Sequence, residues 1–383
     1  MWKIIRCLIS GRFISRSGVE SRPSHLDQQM YSICIVGKID EGDGRTMGER
    51  KACIVIGAGI SGLLLARRLT CAGHQVQVLD KGRGIGGRMM TRRFGGGRID
   101  HGAQFFTARG HHMRELVRDL ENSRVLRVWS QGFLNEDGTL HQDGYPRYMA
   151  ANGMSDIPKY LATGLDVRTS ARVAAITRNS DHWKLAGDDG EVWVCQSLVI
   201  TAPAEQALEM LTRGGTTLTD RERSLLGSVQ YHPCYAAMIR LDGPSRIPSP
   251  GGMALENHDL RWIADNRIKG LPHGDETSTL VTVHASPEFT RTHWDVDPES
   301  VGRKIVSLAT PWLGSEVVEV QVHRWKYSQA LQKLDPPYLM LEGDPTGLIA
   351  GDGFGGGKVE GAVESAAEAA QAILSEAHRN SNE

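Results

Sequence analysis

Three glycine-rich stretches, two near the start of the patterned chain and one near its end, constrain this sequence more than any other feature. The first, Gly57-Ala-Gly-Ile-Ser-Gly62, directly follows the apolar run Ala52-Cys-Ile-Val-Ile56. A helical pattern from Ser61 to Leu69 comes next and stops at Cys71-Ala-Gly73. A second β-like run, Gln75-Val-Gln-Val-Leu79, ends in Asp80. Strand, glycine turn, helix, strand and acid in this order describe a dinucleotide-binding unit. Gly57 permits the tight turn, Gly59 lets a pyrophosphate approach the backbone, and Gly62 lets helix and strand pack closely. Ile60 and Ser61 open the helix, whose free N–H groups attract phosphate. Asp80 stands where a carboxylate accepts hydrogen bonds from ribose hydroxyls.

The second stretch chooses between nucleotides. Lys81-Gly-Arg-Gly-Ile-Gly-Gly-Arg88 follows the acid immediately. An NAD domain has no need of this loop. A flavin domain does, because the FAD pyrophosphate lies along it, with Gly87 open and Arg88 adding charge-assisted bonds. The third stretch, Gly351-Asp-Gly-Phe-Gly-Gly-Gly357, follows the short buried run Gly347-Leu-Ile-Ala350. An alanine-rich helix from Val359 to Glu376 is expected after it. Asp352 can accept from ribityl or pyrophosphate-linked hydroxyls, and Gly356 leaves room for the ring. The helix that begins near Val359 directs its dipole at the flavin, where negative charge collects on reduction.

On these motifs the chain resembles the renalase family, within the broader flavin amine oxidase and phytoene desaturase group. The broad resemblance rests on the three glycine motifs. The narrower one rests on Asp100-His-Gly-Ala-Gln-Phe-Phe-Thr107, Trp262-Ile-Ala-Asp-Asn266, His284-Ala-Ser-Pro-Glu-Phe289 and His323-Arg-Trp-Lys-Tyr327. It departs from the family pattern at His101 and Asp265. The resemblance implies that Gly102, Ala103 and Gln104 also touch the flavin and that the backbone near Val173 touches the adenine. It implies oxidation of dihydronicotinamide isomers of NAD(P)H, with oxygen as acceptor.

The fold expected is α/β: a Rossmann-like FAD-binding domain of the glutathione-reductase type, with a second α+β substrate domain built on an antiparallel sheet. The FAD-binding part is expected from 47–110, 155–205 and 318–376. The substrate part is expected from 111–154 and 206–317, with 377–383 a tail. Val229 to Trp312 reads as β-like runs broken by turns, and Tyr145 to Gly153 as a pocket lining. Residues 1–46 belong to neither part. They are basic at first and show no sustained period, which fits a miscalled start or an organelle transit peptide.

The net charge of −1 gives no electrostatic reason to expect nucleic acid or an anionic membrane as partner. No apolar run approaches the roughly 20 residues of a spanning helix. The six cysteines have no metal-type spacing, so no metal site is expected, and their scatter suits reduced thiols and a cytoplasmic protein. None lies beyond Cys234, which excludes a C-terminal cysteinyl flavin link. The FAD is therefore expected to be noncovalent, the partners a small molecule and O2, and the protein a monomer or weak dimer.

No catalytic dyad stands out. The candidates for the cavity over the flavin are Gln104, Phe105, His284, Trp325 and Tyr327. Trp325 and Tyr327 fit either stacking on a planar ligand or packing between domains. His284 fits either a catalytic or a core histidine. His111 and His112 lie on a basic helical face and read as solvent-exposed. Two rival functions share the motifs: an amine or carotenoid-type oxidoreductase, and a nonenzymatic binding protein of the GDP-dissociation-inhibitor kind. An amine oxidase would want a lysine-held water near the flavin, for which only Lys269 and Lys326 are placed.

Overall fold

The computed structural model describes residues 51–380 apart from 256–258 and 275–276. The expectations for 1–46 lie outside the described residues. The first motif folds as read. Strand β1 (Lys51–Ile56) runs into helix α1 (Ile60–Cys71), which returns to strand β2 (Val76–Leu79). β1 lies between two parallel neighbours, with Cys53 beside Val76 of β2 and beside Ser197 of the long strand Val192–Ile200. That long strand forks. Its first half pairs antiparallel with Trp183–Gly187, and its last three residues pair parallel with Gly347–Ala350. The runs Ile54-Val-Ile56, Leu198-Val-Ile200 and Leu348-Ile-Ala350 are buried because helices and strands cover both faces of this eight-stranded sheet.

The C-terminal helix Lys358–Asn380 packs on α1. Ala362, Val363, Ala366 and Ala370 face Leu63, Leu65, Ala66 and Leu69 in one core. Small side chains at helical spacing let the two helices approach closely. Helix His111–Asn122 joins this core through Met113, Leu116, Val117 and Leu120. It was expected with the substrate part. Its start is held instead by the C-terminal helix: Glu360 accepts from the Arg109 and Gly110 N–H groups (2.5 and 2.6 Å), and Glu364 from Met113 (3.0 Å). Two carboxylates at a helix N-terminus offset its positive dipole.

The second layer is a seven-stranded, mainly antiparallel sheet. Its order is Val317–Ala330, Tyr231–Leu241, Thr279–Ala285, Leu260–Asp265, Gly252–Ala254, Phe133–Leu134, Leu140–His141. Two features differ from expectation. The expected FAD-binding segment starts at 318, but strand Val317–Ala330 pairs along its whole length with Tyr231–Leu241. The chain rejoins the nucleotide sheet at Tyr338–Leu341. Within 229–312, helices Pro287–Thr292 and Pro298–Leu313 replace β-like turns. Ser286 and Asp297 cap them, accepting from Phe289 N and Ser300 N, and a proline follows each cap. That capping chemistry selects helix over strand where the local pattern is ambiguous.

The chain leaves and re-enters the nucleotide layer through a neck. Tyr231 pairs with Ala330, and Leu331 N donates to Gln230 O at 3.1 Å. The two ends of the 231–330 stretch therefore emerge side by side.

Candidate active site

The cradle is built from backbone. Helix α1 starts at Gly59 with no side-chain cap and no acid in its first turn. Its N–H groups and dipole are thus left for an anion. A Cβ at Gly59 would meet nothing within 4 Å, whereas one at Gly62 would sit 1.9 Å from Gly57 O. Gly57 has φ +108° and Gly87 φ +53°, values that favour glycine. A Cβ at Gly87 would point to Gly59 Cα at 3.5 Å, so the first two motifs face each other. Asp80 braces this turn from behind: Oδ2 accepts from Ala58 N and Oδ1 from Gly82 N, both at 2.6 Å. Ala171 N donates to Asp80 O, which brings the strand that starts at Val173 alongside Asp80. Lys81 points away and donates to Gln206 Oε1 at 3.0 Å.

Arg88 ties the second motif to the third. Its Nη1 and Nη2 donate to the two oxygens of Asp352, each at 2.6 Å, and Nη1 also to Tyr327 O at 3.0 Å. Gly102 packs on the Arg88 carbonyl so tightly that a Cβ would come within 2.0 Å of it, and Ala103 N donates to the same oxygen. An uncapped helix start, an open glycine pair and a paired arginine form a donor set that fits a diphosphate. The FAD pyrophosphate would lie on Gly59, Ile60, Ser61, Gly87 and Arg88.

A continuous cavity of about 510 Å³ runs from this cradle to an aromatic end. Ile60, Ser61, Arg88, Asp352 and Val359 line one end, and Phe105, Trp262, His284 and Trp325 the other, with Gly102, Ala103 and Gln104 also on its wall. Gly356 instead lines a neighbouring surface groove. Gln104 Nε2 donates to Asp100 O (2.6 Å) and Gly102 O (3.1 Å), and its buried Oε1 has no partner among the described residues. His284 Nε2 and Trp325 Nε1 converge on one acceptor, His101 O, at 3.2 and 3.0 Å. The His284 proton therefore sits on Nε2. The His101 ring stacks on Trp325 (5.3 Å, 25°).

Tyr327 does not line this cavity. It packs edge-on against Tyr231 at 5.3 Å. Two residues beyond Trp325 it should face the same way, but the pairing with Tyr231–Leu241 slips between His232 and Cys234. A bulge re-aims the strand, and Ser328 and Gln329 reach the cavity in its place. Cys234 is a lining residue with no sequence signal, whereas Trp262 stands out only as part of a family motif and Arg147 only within the stretch 145–153 read as a pocket lining. Burial pushes the Cys234 thiol up to about 12, so it is not a thiolate.

Lys269 is fully buried. Its Nζ donates to Asp100 Oδ2 and Gln104 O, both at 2.8 Å, and lies 4.6 Å from the Trp129 ring centre. Asp265, the second departure from the family pattern, organises its turn by accepting from Arg267 N, Ile268 N and the Ser245 hydroxyl. Lys326 pairs with Glu205 at the surface. Of the two surface histidines, His111 is exposed, whereas His112 is largely covered and meets Glu115 and Glu368. Glu115 and the two histidines have metal-like spacing, but the Arg68 guanidinium already lies 3.4 Å from His112 Nδ1 and 3.5 Å from Glu115.

Burial holds His101 down at about 3, helped by His323 and Arg92, and holds His284 down at about 4. Both are neutral at pH 7. Because the unfolded forms bind protons near 6.5, the folded state gains their full contribution above that pH and loses it as pH falls toward 4. On the order of 2 kcal/mol per histidine should vanish between pH 6.5 and 5. His101→Gln should therefore show a shallower fall in melting temperature between pH 7 and pH 5 than the wild type. Equal slopes would refute the assignment.

Trp325→Ala is expected to keep its flavin and raise the half-saturation for substrate, since a stacking partner supplies on the order of 1 kcal/mol beyond its area. Partial flavin loss with unaltered bleaching kinetics would instead mark Trp325 as packing.

The family model for flavin containing amine oxidoreductase matches residues 130–374. A model for an NAD(P)-binding Rossmann-like domain matches 55–120. Renalase of Mus musculus is 26% identical over 328 residues, 82% of this chain and 96% of that protein. A flavin-dependent L-tryptophan oxidase of Lentzea aerocolonigenes is 32% identical over 125 residues, 31% of this chain and 26% of that one. In fold, cyclohexylamine oxidase of Brevibacterium oxydans superposes with a TM-score of 0.66 at 14% identity, covering 86% of this chain and all of that one. Among the described residues no helix is long and apolar enough to cross a membrane. The chain is an FAD-dependent oxidoreductase, and it belongs to the flavin containing amine oxidoreductase family.

Proposed function

We propose that the chain is a renalase-like oxidase that takes hydride from dihydronicotinamide isomers of NAD(P)H. FAD, when bound, supplies the two-electron acceptor: the donor leaves as NAD(P)+, and O2 takes up the two electrons with two protons and leaves as H2O2. One observation carries this reading. The aromatic end of the cavity offers flat walls, Phe105, Trp262 and Trp325, and the two groups in its lining that could exchange a proton, His284 and Cys234, are held in their neutral forms. A hydride donor needs a stacking surface and little acid–base help. An amine, which must lose a proton, would want a free lysine beside the ring, and the buried Lys269 is consumed by Asp100 and Gln104. The similarity to renalase over nearly its whole length supports the same reading.

In this site Trp325 and Phe105 would flank the substrate ring. His101, through its carbonyl, fixes both Trp325 and His284. The neutral His284, its proton on Nε2, keeps the wall uncharged next to a ring that becomes cationic. Anaerobic mixing with a panel tests the reading. Dihydronicotinamide isomers should bleach the flavin rapidly, with ordinary NAD(P)H and primary amines slow. Rapid bleaching by an amine would replace this function with amine oxidation. A purified protein that never carries flavin would point to a nonenzymatic binder.

A further inference from the structure

We propose that Arg147 is a phosphate-binding residue at the mouth of the cavity, reading the phosphate-bearing tail of the substrate. This rests on the dihydronicotinamide reading and extends it from the ring to the rest of the molecule.

Arg147 begins strand Arg147–Ala150 and is only 5% exposed, although it lines the cavity. Its backbone is fixed from both sides. It pairs with Ser130, and the next residue, Tyr148, exchanges two hydrogen bonds with Phe106. Its guanidinium carbon lies 5.9 Å from the Phe105 ring centre. The charged end thus sits beside a wall on which a substrate ring would stack.

The charges around it do not balance. Nη1 of Arg147 donates to Asp143 Oδ1 at 2.6 Å and to Tyr145 O. The other oxygen of the same carboxylate accepts from Arg109 at 2.5 Å, and Arg109 stacks over Tyr145. One carboxylate serves two guanidinium groups and leaves a net positive charge. Glu360 is nearby, with one oxygen held by the N–H groups at the start of helix His111–Asn122, and its charge offsets only one of the cations. Lys358 adds a further cation to the same lining, held at φ +61°, a backbone conformation that favours glycine. Strain of this kind persists where the surroundings impose it.

Nε and Nη2 of Arg147 have no hydrogen-bond partner among the described residues. Three N–H donors in a planar fork remain, the geometry that matches phosphate oxygens. A ring stacked at the aromatic end would direct its tail toward this rim. Arg109 is half exposed there and can meet a second phosphate. The same rim would repel a cationic amine.

The test uses flavin-loaded protein and three donors with the same dihydronicotinamide ring: the dinucleotide, the mononucleotide and the phosphate-free riboside. In the wild type the riboside should need a concentration 10- to 100-fold higher for half-maximal bleaching. Arg147→Met should raise the half-saturation of both phosphate-bearing donors to the riboside's level and leave the riboside and the limiting rate unchanged. Asp143 keeps Arg109 in that variant, so no buried charge is orphaned. Arg147→Lys should lie between, which guards against a folding artefact.

Equal half-saturations in wild type and Arg147→Met would overturn the proposal. So would a riboside that weakens as much as the mononucleotide, which would mean a structural role. Bleaching by L-tryptophan that disappears in Arg147→Met would assign the anion as a carboxylate and equally overturn it. Binding of oxidised nicotinamide mononucleotide, read as a perturbation of the flavin spectrum, separates the two readings. If the donors fail to bleach while the mononucleotide binds through Arg147, the hydride reading falls and the phosphate site stands. If it does not bind, the site falls as well.

Discussion

A Gly59→Val variant is expected to purify folded and colourless, with flavin content below about a tenth of the wild type. The two neighbouring glycines explain why this position separates folding from binding. A Cβ at Gly62 would collide with the Gly57 carbonyl at 1.9 Å, so substitution there breaks the helix–strand packing. A Cβ at Gly59 meets no protein atom within 4 Å, and its backbone is ordinary extended conformation. Valine is therefore tolerated by the protein but fills the space where the pyrophosphate must approach α1. Circular dichroism should be unchanged and the yellow colour absent. Normal flavin content would displace the nucleotide from this cradle.

Lys269→Met should cost about 3–5 kcal/mol, because it strands a carboxylate with no solvent access. Both side chains of the pair are 0% exposed. Among the described residues Asp100 would keep its bonds from Thr91 and from Met154 N, both on Oδ1. A melting temperature lower by roughly 5–10 °C is expected. The double variant Lys269→Met with Asp100→Asn removes both charges and should recover most of the loss, because replacing a buried pair costs far less than halving it. A single variant as stable as the wild type would refute the buried ion pair as a source of stability. Lys269 also holds Gln104 O, so slower flavin bleaching in the single variant is expected alongside the lower stability.

The nucleotide half was legible because its constraints are local. A glycine turn, a helix start and a strand-end acid lie within one short stretch, and their order leaves few alternatives. Asp80 and Arg88 could be read as nucleotide residues, yet their protein partners could not. Nothing in sequence announces that Asp80 braces Ala58 N or that Arg88 spans to Asp352. The substrate cavity was legible only in part. Gln104, Phe105, His284 and Trp325 line it, but Tyr327 does not, because a two-residue spacing predicts facing only in a regular strand and this one is bulged. Arg147 lay inside a stretch expected to line a pocket, but its importance comes from sharing Asp143 with Arg109, an arrangement among side chains that no periodicity encodes. The assignment of 318–330 to the nucleotide layer, where the strand instead joins the substrate sheet, has a related cause. An alternating strand shows which face is buried, and not which sheet it joins.

The neck at Tyr231 and Ala330 makes the five strands of the substrate sheet that lie within 231–330 an exchangeable cassette, with the hairpin of Phe133–Leu134 and Leu140–His141 staying behind at its edge. Both of its ends leave the nucleotide layer as adjacent, paired strands. A loop of any content could in geometric terms be spliced between them without moving the three glycine motifs. The chemistry of one half could then diversify while the other kept the same cofactor. The graft carries one condition. Asp100 remains behind in the recipient, so the incoming sheet must bring its own Lys269, or the recipient must give up the acid. Chimeras that ignore this condition would leave a buried charge at the seam.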